Sequence, residues 1–440
     1  MKVCILDCCC DISRAYLDTL SYVNNIEVAP FEEADVICYV GCAYTRKKVF
    51  DALNDIAAVI SKKRKDALLG VFGCVTKYAE FSDVVKKYSD IDYVGCSTGV
   101  DMQKELVSYL INKTKEDFVF PESGFSFKTE KRINLVVQDG CNNRCAFCKS
   151  NYLNLRNKSI PMDELCGDVD FLVDKYGITE INIEGLNPAQ YGTDLYGHSK
   201  LDELIRYFSS NSQVKNIFLD MLSISDMSES LVSEILNNPK IKRVMIPIQS
   251  LDDRLLRLMR RKHSAEEADS LLTLISKERP DIFLETIFMA CYPTETIGNV
   301  NRTVRFLEKN IIHNPVLSIY KYGSNDKNLF SEKVKKVTPE EYEKLMKYYI
   351  DYVIPIIDKQ RQELLSKPVL GTLVGKDDEY DYFSTLYRFY TYDYSVISPV
   401  SKDTTVFEDY SLEVDFIPSI KDTVYDIENR SGRGKVIMKV

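Results

Sequence analysis

Short apolar runs rich in β-branched residues alternate with amphipathic stretches along most of this chain, and that alternation admits few folds. "KVCIL" (2–6), "ADVICYV" (34–40) and "ALLGVFG" (67–73) read as parallel strands, because a strand covered on both faces is apolar without a break. Between them "SRAYLDTLSYV" (13–23) and "KKVFDALNDIAAVISKKRKD" (47–66) carry helical spacing. An α/β fold opening on an amino-terminal open parallel sheet, with helices on both faces, is the expected result. A second series starts near residue 128: strands at 133–140, 178–185, 215–222, 243–250, 282–293 and 316–323, with helices at 162–177, 201–210, 228–238 and 252–278. Six strands with intervening helices predict a central partial (β/α)6 barrel whose active face is built from the loops after the strands. A helix over 340–367 closes it. Runs such as "LYRFYTYDY" and "LEVDFIP" then predict a small C-terminal antiparallel β-barrel. The expected domains are therefore 1–115, 128–367 and 368–440.

Thirteen cysteines in this chain, with no charged-then-apolar leader pattern at its start, point to a reducing cytoplasm and to metal or catalytic roles. No apolar run of about 18 residues suits a membrane span. Cys141, Cys145 and Cys148 sit in "QDGCNNRCAFCKS", directly after the first strand of the second series. Four thiolates would complete a closed cluster; three leave one iron open, which is what catalysis at a metal requires. The alternative is a zinc site with a distant fourth ligand, but zinc motifs usually pair one CxxC with another and no second pair is visible. A second set follows the strand ends of the first sheet: Cys8, Cys9 and Cys10 after one strand, Cys42 after the next, Cys74 after the third. Loops at the carboxyl ends of such strands converge on one crevice. Cys4, Cys38, Cys166 and Cys291 lie inside apolar or helical stretches and read as small hydrophobes. The three histidines, His198, His263 and His313, form no ligand or triad pattern.

CxxxCxxC with Phe147 before its last cysteine, at the first strand of a β/α barrel, resembles the radical S-adenosylmethionine superfamily. Cys10, Cys42, Cys74, "GLNPAQYGTDLYG" (185–197), "IPIQSLDDRLLRLMRRKHSAEE" (246–267) and "PTET" (293–296) follow in the order found in its methylthiotransferases, and the resemblance spans essentially the whole chain. It implies two 4Fe–4S clusters and S-adenosylmethionine as radical source and methyl donor. Cys141, Cys145 and Cys148 would hold the cluster that cleaves S-adenosylmethionine to a 5′-deoxyadenosyl radical. Cys10, Cys42 and Cys74 would hold the auxiliary cluster that delivers sulfur, with Cys8 or Cys9 as alternatives to Cys10. By position in the motifs, Phe147, Asn187 and Gln249 are candidate S-adenosylmethionine contacts. The family implies an electron donor such as flavodoxin or ferredoxin, and a TRAM-like substrate-binding module at 368–440.

"QYGTDLYG" and "LMRRKHS" resemble the branch that modifies an aspartate of a ribosomal protein, whereas Asn187 resembles the tRNA-modifying branch. Charge favours the former. Residues 371–430 hold 13 Asp and Glu against 5 Lys and Arg, a net of −8 within a chain of net −9. A module gripping phosphates needs cations, whereas an acidic one attracts a basic protein or peptide. Several positions depart from the family: Ser13 replaces its asparagine, Asn154 and Ile160 stand where arginines are expected beside Ser159 and Pro161, and "CYPTE" (291–295) replaces "GFPGE".

Overall fold

In a computed structural model, residues 2–7, 27–41, 46–77, 81, 90–97, 99–114, 124–129, 131–148, 155–320, 337–366, 369–376, 380–385, 395–399, 409–412 and 438–439 are described. The chain divides into two compact units, Met1–Cys141 with Tyr152–Gly185 and Asn142–Asn151 with Leu186–Val440.

The first unit opens with the expected open sheet. Strands β1 (Lys2–Asp7), β2 (Glu27–Val28), β3 (Val36–Val40), β4 (Leu68–Phe72) and β5 (Tyr93–Val94) are all parallel, in the order β2-β1-β3-β4-β5. Alternate residues supply opposite faces, as the two-residue period demands. Cys4, Ile37, Tyr39, Leu69 and Val71 pack with Val49, Ala52 and Ile56 of helix α1 (Arg46–Lys62). Val3, Val36, Cys38, Val40 and Phe72 pack with Leu106, Tyr109 and Leu110 of helix α2 (Gly99–Thr114), an element sequence periodicity did not single out. Burial pushes the Cys4 thiol up to about 11 and Cys38 higher still, so both behave as the small hydrophobes expected. The helix expected at 13–23 lies outside the described residues.

The same unit continues with β6 (Gly124–Thr129), β7 (Arg132–Asp139), β8 (Lys158–Ser159), helix α3 (Met162–Tyr176) and β9 (Glu180–Gly185). β7 pairs with β9 in parallel and with β6 and β8 antiparallel.

The second unit carries α4 (Leu201–Ser210), β10 (Asn216–Leu219), α5 (Glu229–Asn237), β11 (Ile241–Met245), α6 (Asp253–Leu258), α7 (Ala265–Glu278), β12 (Phe283–Ala290), α8 (Ile297–Lys309) and β13 (Asn314–Ile319). Strands β10 to β13 pair in parallel, each with the next. Two expectations need correction here. The helix expected over 252–278 is two helices: Arg260 turns left-handed at φ 56, and Ser264 opens α7 with a reciprocal capping box to Glu267. The strand expected over 243–250 ends at Met245; beyond it Gln249 is left-handed at φ 67 and bridges Phe288.

Helices α9 (Pro339–Tyr348) and α10 (Ile354–Leu365) are joined by a π turn at Tyr349–Val353. Pro355 follows that turn and has no N–H to offer the preceding carbonyls, so the ladder re-registers there. Strands β14 (Val369–Lys376), β15 (Tyr380–Thr385), β16 (Ser395–Pro399), β17 (Asp409–Leu412) and β18 (Met438–Lys439) form a sheet in the order β17-β14-β15-β16-β18. It is antiparallel except where β18 joins β16 in parallel. Among the described residues no helix is long and apolar enough to cross a membrane.

Candidate metal centre

The loop after β7 starts at a point of close backbone approach. Gly140 has φ 71, and a Cβ there would collide with the Arg156 carbonyl, so only glycine fits. Gln138 donates through Nε2 to the Gly140 carbonyl at 3.1 Å and to Asn157 Oδ1 at 2.8 Å, and the Cys141 N–H donates to the Leu155 carbonyl at 3.0 Å. The returning strand thus clamps the base of the loop up to Cys141.

Residues 142–148 belong to the second unit, which holds them from several sides. The Cys148 N–H donates to the Cys145 carbonyl at 3.1 Å, so both cysteines lie on one turn. The Ala146 N–H donates to the Met259 carbonyl at 2.9 Å, just beyond α6. The Asn142 N–H donates to Gln190 Oε1 at 2.9 Å. Asn143, buried, donates through Nδ2 to Asp226 Oδ2 at 2.5 Å. Asn187 donates to the same oxygen at 2.8 Å while its Oδ1 accepts the Ser223 N–H at 3.1 Å. Asn187 therefore helps to order the loops around Asp226, with one N–H and one carbonyl lone pair of its amide beyond these two bonds. Phe147 packs against the apolar cluster of Leu255, Met259, Met289 and Tyr292.

Gln249, the third of those candidates, differs. Its backbone is left-handed, its side chain is buried, and Oε1 has no hydrogen-bond partner among the described residues. A buried acceptor left open is expensive unless a ligand fills it. The preceding carbonyls are closed off by the "RRKHS" turn. Arg261 donates through Nη2 to the Pro247 carbonyl at 2.8 Å, and the His263 ring nitrogen Nε2 lies 3.3 Å from the Ile248 carbonyl. Burial, then the neighbouring Arg261 charge, lower His263 to about 4, so it is neutral near pH 7 and can donate there. The second guanidinium nitrogen of Arg261, Nη1, lies 3.6 Å from Cys145 Sγ.

The donor set fits an iron–sulfur cluster: soft sulfur ligands from one short loop, with a cationic N–H beside one sulfur. Among the described residues no three His, Cys, Asp or Glu side chains converge on a point suited to one metal ion. A 4Fe–4S cluster does not need that, since each thiolate binds a different iron. At the other expected set, only Cys74 is described; it is half-buried and begins a 3₁₀ turn directly after β4. Cys8, Cys9, Cys10 and Cys42 lie outside the described residues. Asp7, Val40 and Phe72 end their strands in register, and a Cβ on Gly73 (φ 89) would meet the Gly41 carbonyl at 2.7 Å. The chain segments that lead to Cys42 and Cys74 therefore pass in close contact.

Sequence reading missed a buried polar chain in the second unit. Arg361 donates to Asn314 Oδ1 at 2.9 Å, and Asn314 donates to Glu285 Oε1 at 2.7 Å. Arg243 lies 3.5 Å from Glu285 and 3.8 Å from Asp220, its guanidinium 4.8 Å from the centre of the Phe218 ring. Charged residues inside otherwise apolar strands, as in "KRVM" and "FLETIF", were the available signal.

Residues 135–307 match the radical SAM superfamily. The ribosomal protein uS12 methylthiotransferase RimO of Carboxydothermus hydrogenoformans is 28% identical over 349 residues, 76% of this chain and 78% of that one. The tRNA-2-methylthio-N(6)-dimethylallyladenosine synthase of Thermotoga petrophila is 30% identical over 298 residues, 66% of each. The solved structure of the radical S-adenosylmethionine methyltransferase TsrM from Kitasatospora setae shares the fold, with TM-score 0.50 and 11% identity over 72% of this chain and 74% of that one. Fold, cysteine loop and matched residues together define a radical S-adenosylmethionine enzyme. Within that class the chain belongs to the methylthiotransferase family, which forms sulfur–carbon bonds using S-adenosylmethionine and 4Fe–4S clusters.

Proposed function

We propose that this enzyme replaces a hydrogen on an unactivated carbon with a methylthio group, and that the carbon belongs to an aspartate side chain of a ribosomal protein or another basic protein or peptide. The observation that carries the choice of a protein substrate is charge: a net of −8 over residues 371–430, and of −5 over the whole proposed substrate-binding module at 368–440 once the three cations of its last ten residues are counted. That module would attract a cationic peptide and repel a phosphate backbone. The RimO relatives act, by name, on ribosomal protein uS12, which supports the same reading.

Cys141, Cys145 and Cys148 would hold one cluster, and Cys74, Cys42 and one of Cys8, Cys9 or Cys10 the other, the first set in a radical domain at 128–367 and the second in an amino-terminal domain at 1–115. When bound, the first cluster supplies an open iron for S-adenosylmethionine and the electron that cleaves its carbon–sulfur bond, drawn from a donor such as flavodoxin or ferredoxin. The protein's part is orientation and dryness. Asn143, Asn187 and Asp226 fix the loops around the cysteines, Phe147 seals its floor with apolar surface, and the open Oε1 of Gln249 is free to accept a hydrogen bond from S-adenosylmethionine.

The relatives that modify tRNA keep a second reading alive: methylthiolation of a tRNA adenosine. Mass spectrometry of ribosomal proteins and tRNA, from cells with and without this gene, separates the two. A methylthio group that disappears from a protein supports the first, and one that disappears only from tRNA replaces it. Anaerobic assay for 5′-deoxyadenosine tests the radical chemistry itself, and an enzyme with full iron content that yields none refutes it.

A further inference from the structure

We propose that Arg261 is a positioning residue for Cys145, holding its sulfur by an N–H···S hydrogen bond and thereby raising the reduction potential of the cluster bound there. The proposal rests on the reading that Cys141, Cys145 and Cys148 carry that cluster.

Three consecutive basic residues follow α6: Arg260, Arg261 and Lys262. Arg260 and Lys262 are exposed, so water screens their charge. Arg261 alone turns inward, because the left-handed Arg260 reverses the chain direction after Met259. Its two terminal nitrogens divide their work: Nη2 donates to the Pro247 carbonyl at 2.8 Å, and Nη1 reaches Cys145 Sγ at 3.6 Å, within range for a sulfur acceptor. Cys145 is itself buried. The Ala146 N–H bond to the Met259 carbonyl, at 2.9 Å, ties the next residue of the loop to the same turn. The guanidinium is therefore fixed at one end by β-strand exit backbone and at the other by sulfur, a two-point geometry that a planar fork provides and an ammonium does not.

A reduced cluster carries one more negative charge than an oxidised one. A cationic donor beside a ligand sulfur stabilises the reduced form more, and hydrogen bonds to the sulfurs are a known control on cluster potential. The sulfur is partly shielded from water, so little solvent competes for that bond. If Arg261 only braced the turn against Pro247, removing it would loosen the loop without moving the potential.

The test is an anaerobic redox titration, followed by electron paramagnetic resonance, of the signal that S-adenosylmethionine perturbs, in the full-length reconstituted enzyme. Wild type, R261Q, R261K and the exposed-neighbour control R260Q are compared, with iron and sulfide measured in each. The expected result is a midpoint in R261Q more negative by about a tenfold change in the reduction equilibrium, or about 59 mV for one electron. R261K, which restores charge but not both hydrogen bonds, falls between, and R260Q matches wild type. An R261Q midpoint equal to wild type at equal iron content overturns the proposal; should R261Q fail to load, an R261K midpoint equal to wild type does so instead. A wild-type enzyme with no signal responsive to S-adenosylmethionine would sink the underlying cluster assignment as well, which distinguishes the two failures.

Discussion

Glu295 is a half-buried carboxylate whose titration should be visible in the stability of the second unit. It lies in "CYPTE", just before α8. Its Oε1 accepts the Tyr349 hydroxyl at 2.8 Å and its Oε2 the Cys291 N–H at 2.6 Å. Burial outweighs those hydrogen bonds and pushes the carboxyl up to about 7 from 4.5. A carboxyl raised in the folded state gives its full stability below its unfolded value, near 4.5, and that stability is lost as pH rises through about 7. At about 1.4 kcal/mol for each pH unit between the two values, ionising Glu295 costs the fold about 3–4 kcal/mol by pH 8. Glu295→Gln removes the titration while keeping shape: the amide oxygen accepts from the Cys291 N–H and the amide N–H donates to the Tyr349 hydroxyl, which can reverse its role. His263 and His313, both lowered to about 4 by burial, titrate equally in the two proteins and cancel in the comparison. Thermal midpoints of wild type and E295Q, measured from pH 5 to pH 8.5, should therefore diverge in favour of E295Q as pH rises from 5 to about 7 and run parallel above it. A difference that stays flat across that range would refute the burial argument.

Two further substitutions probe the loop that carries the cysteines. Gly140→Ala forces a left-handed alanine, about 1–2 kcal/mol in itself, and drives its Cβ into the Arg156 carbonyl, so the loop base must move. Iron bound after reconstitution should fall well below wild type, and unchanged iron would show that the loop tolerates the shift. Asp226→Ala strips the shared acceptor from two amides: Asn143 keeps its longer bond to Ser223 Oγ at 3.4 Å and Asn187 loses its 2.8 Å bond, at a cost of about 1–3 kcal/mol. Thermal scans should show a midpoint lower by several degrees, and a shift within about one degree would mean water replaces the carboxylate.

The class of fold was legible because strand and helix periods are local. Val36–Val40 and Leu68–Phe72 are apolar on both faces, and the helices packed on them show the matching stripe. The cysteine spacing was legible for the same reason: ligands on one short loop need no long-range information to be recognised together. Arg260 and Gln249, by contrast, carry helix and strand patterns yet turn left-handed: Arg260 closes the end of its helix, with the next N–H reaching back to the Leu256 carbonyl, and Gln249 bridges Phe288 far along the chain. Asn187 shows what packing adds. Sequence offered it as a ligand contact, and only packing revealed that Asp226, 39 residues away, and Ser223 engage both of its amide atoms. Arg261 could be read as one cation among three until tertiary structure brought it beside a sulfur 116 residues distant. Local periodicity therefore determined the elements and the ligand types, whereas the hydrogen-bond partners that aim each side chain came from contacts far apart in the chain. A buried polar atom must find some partner, and sequence order does not say which one is near.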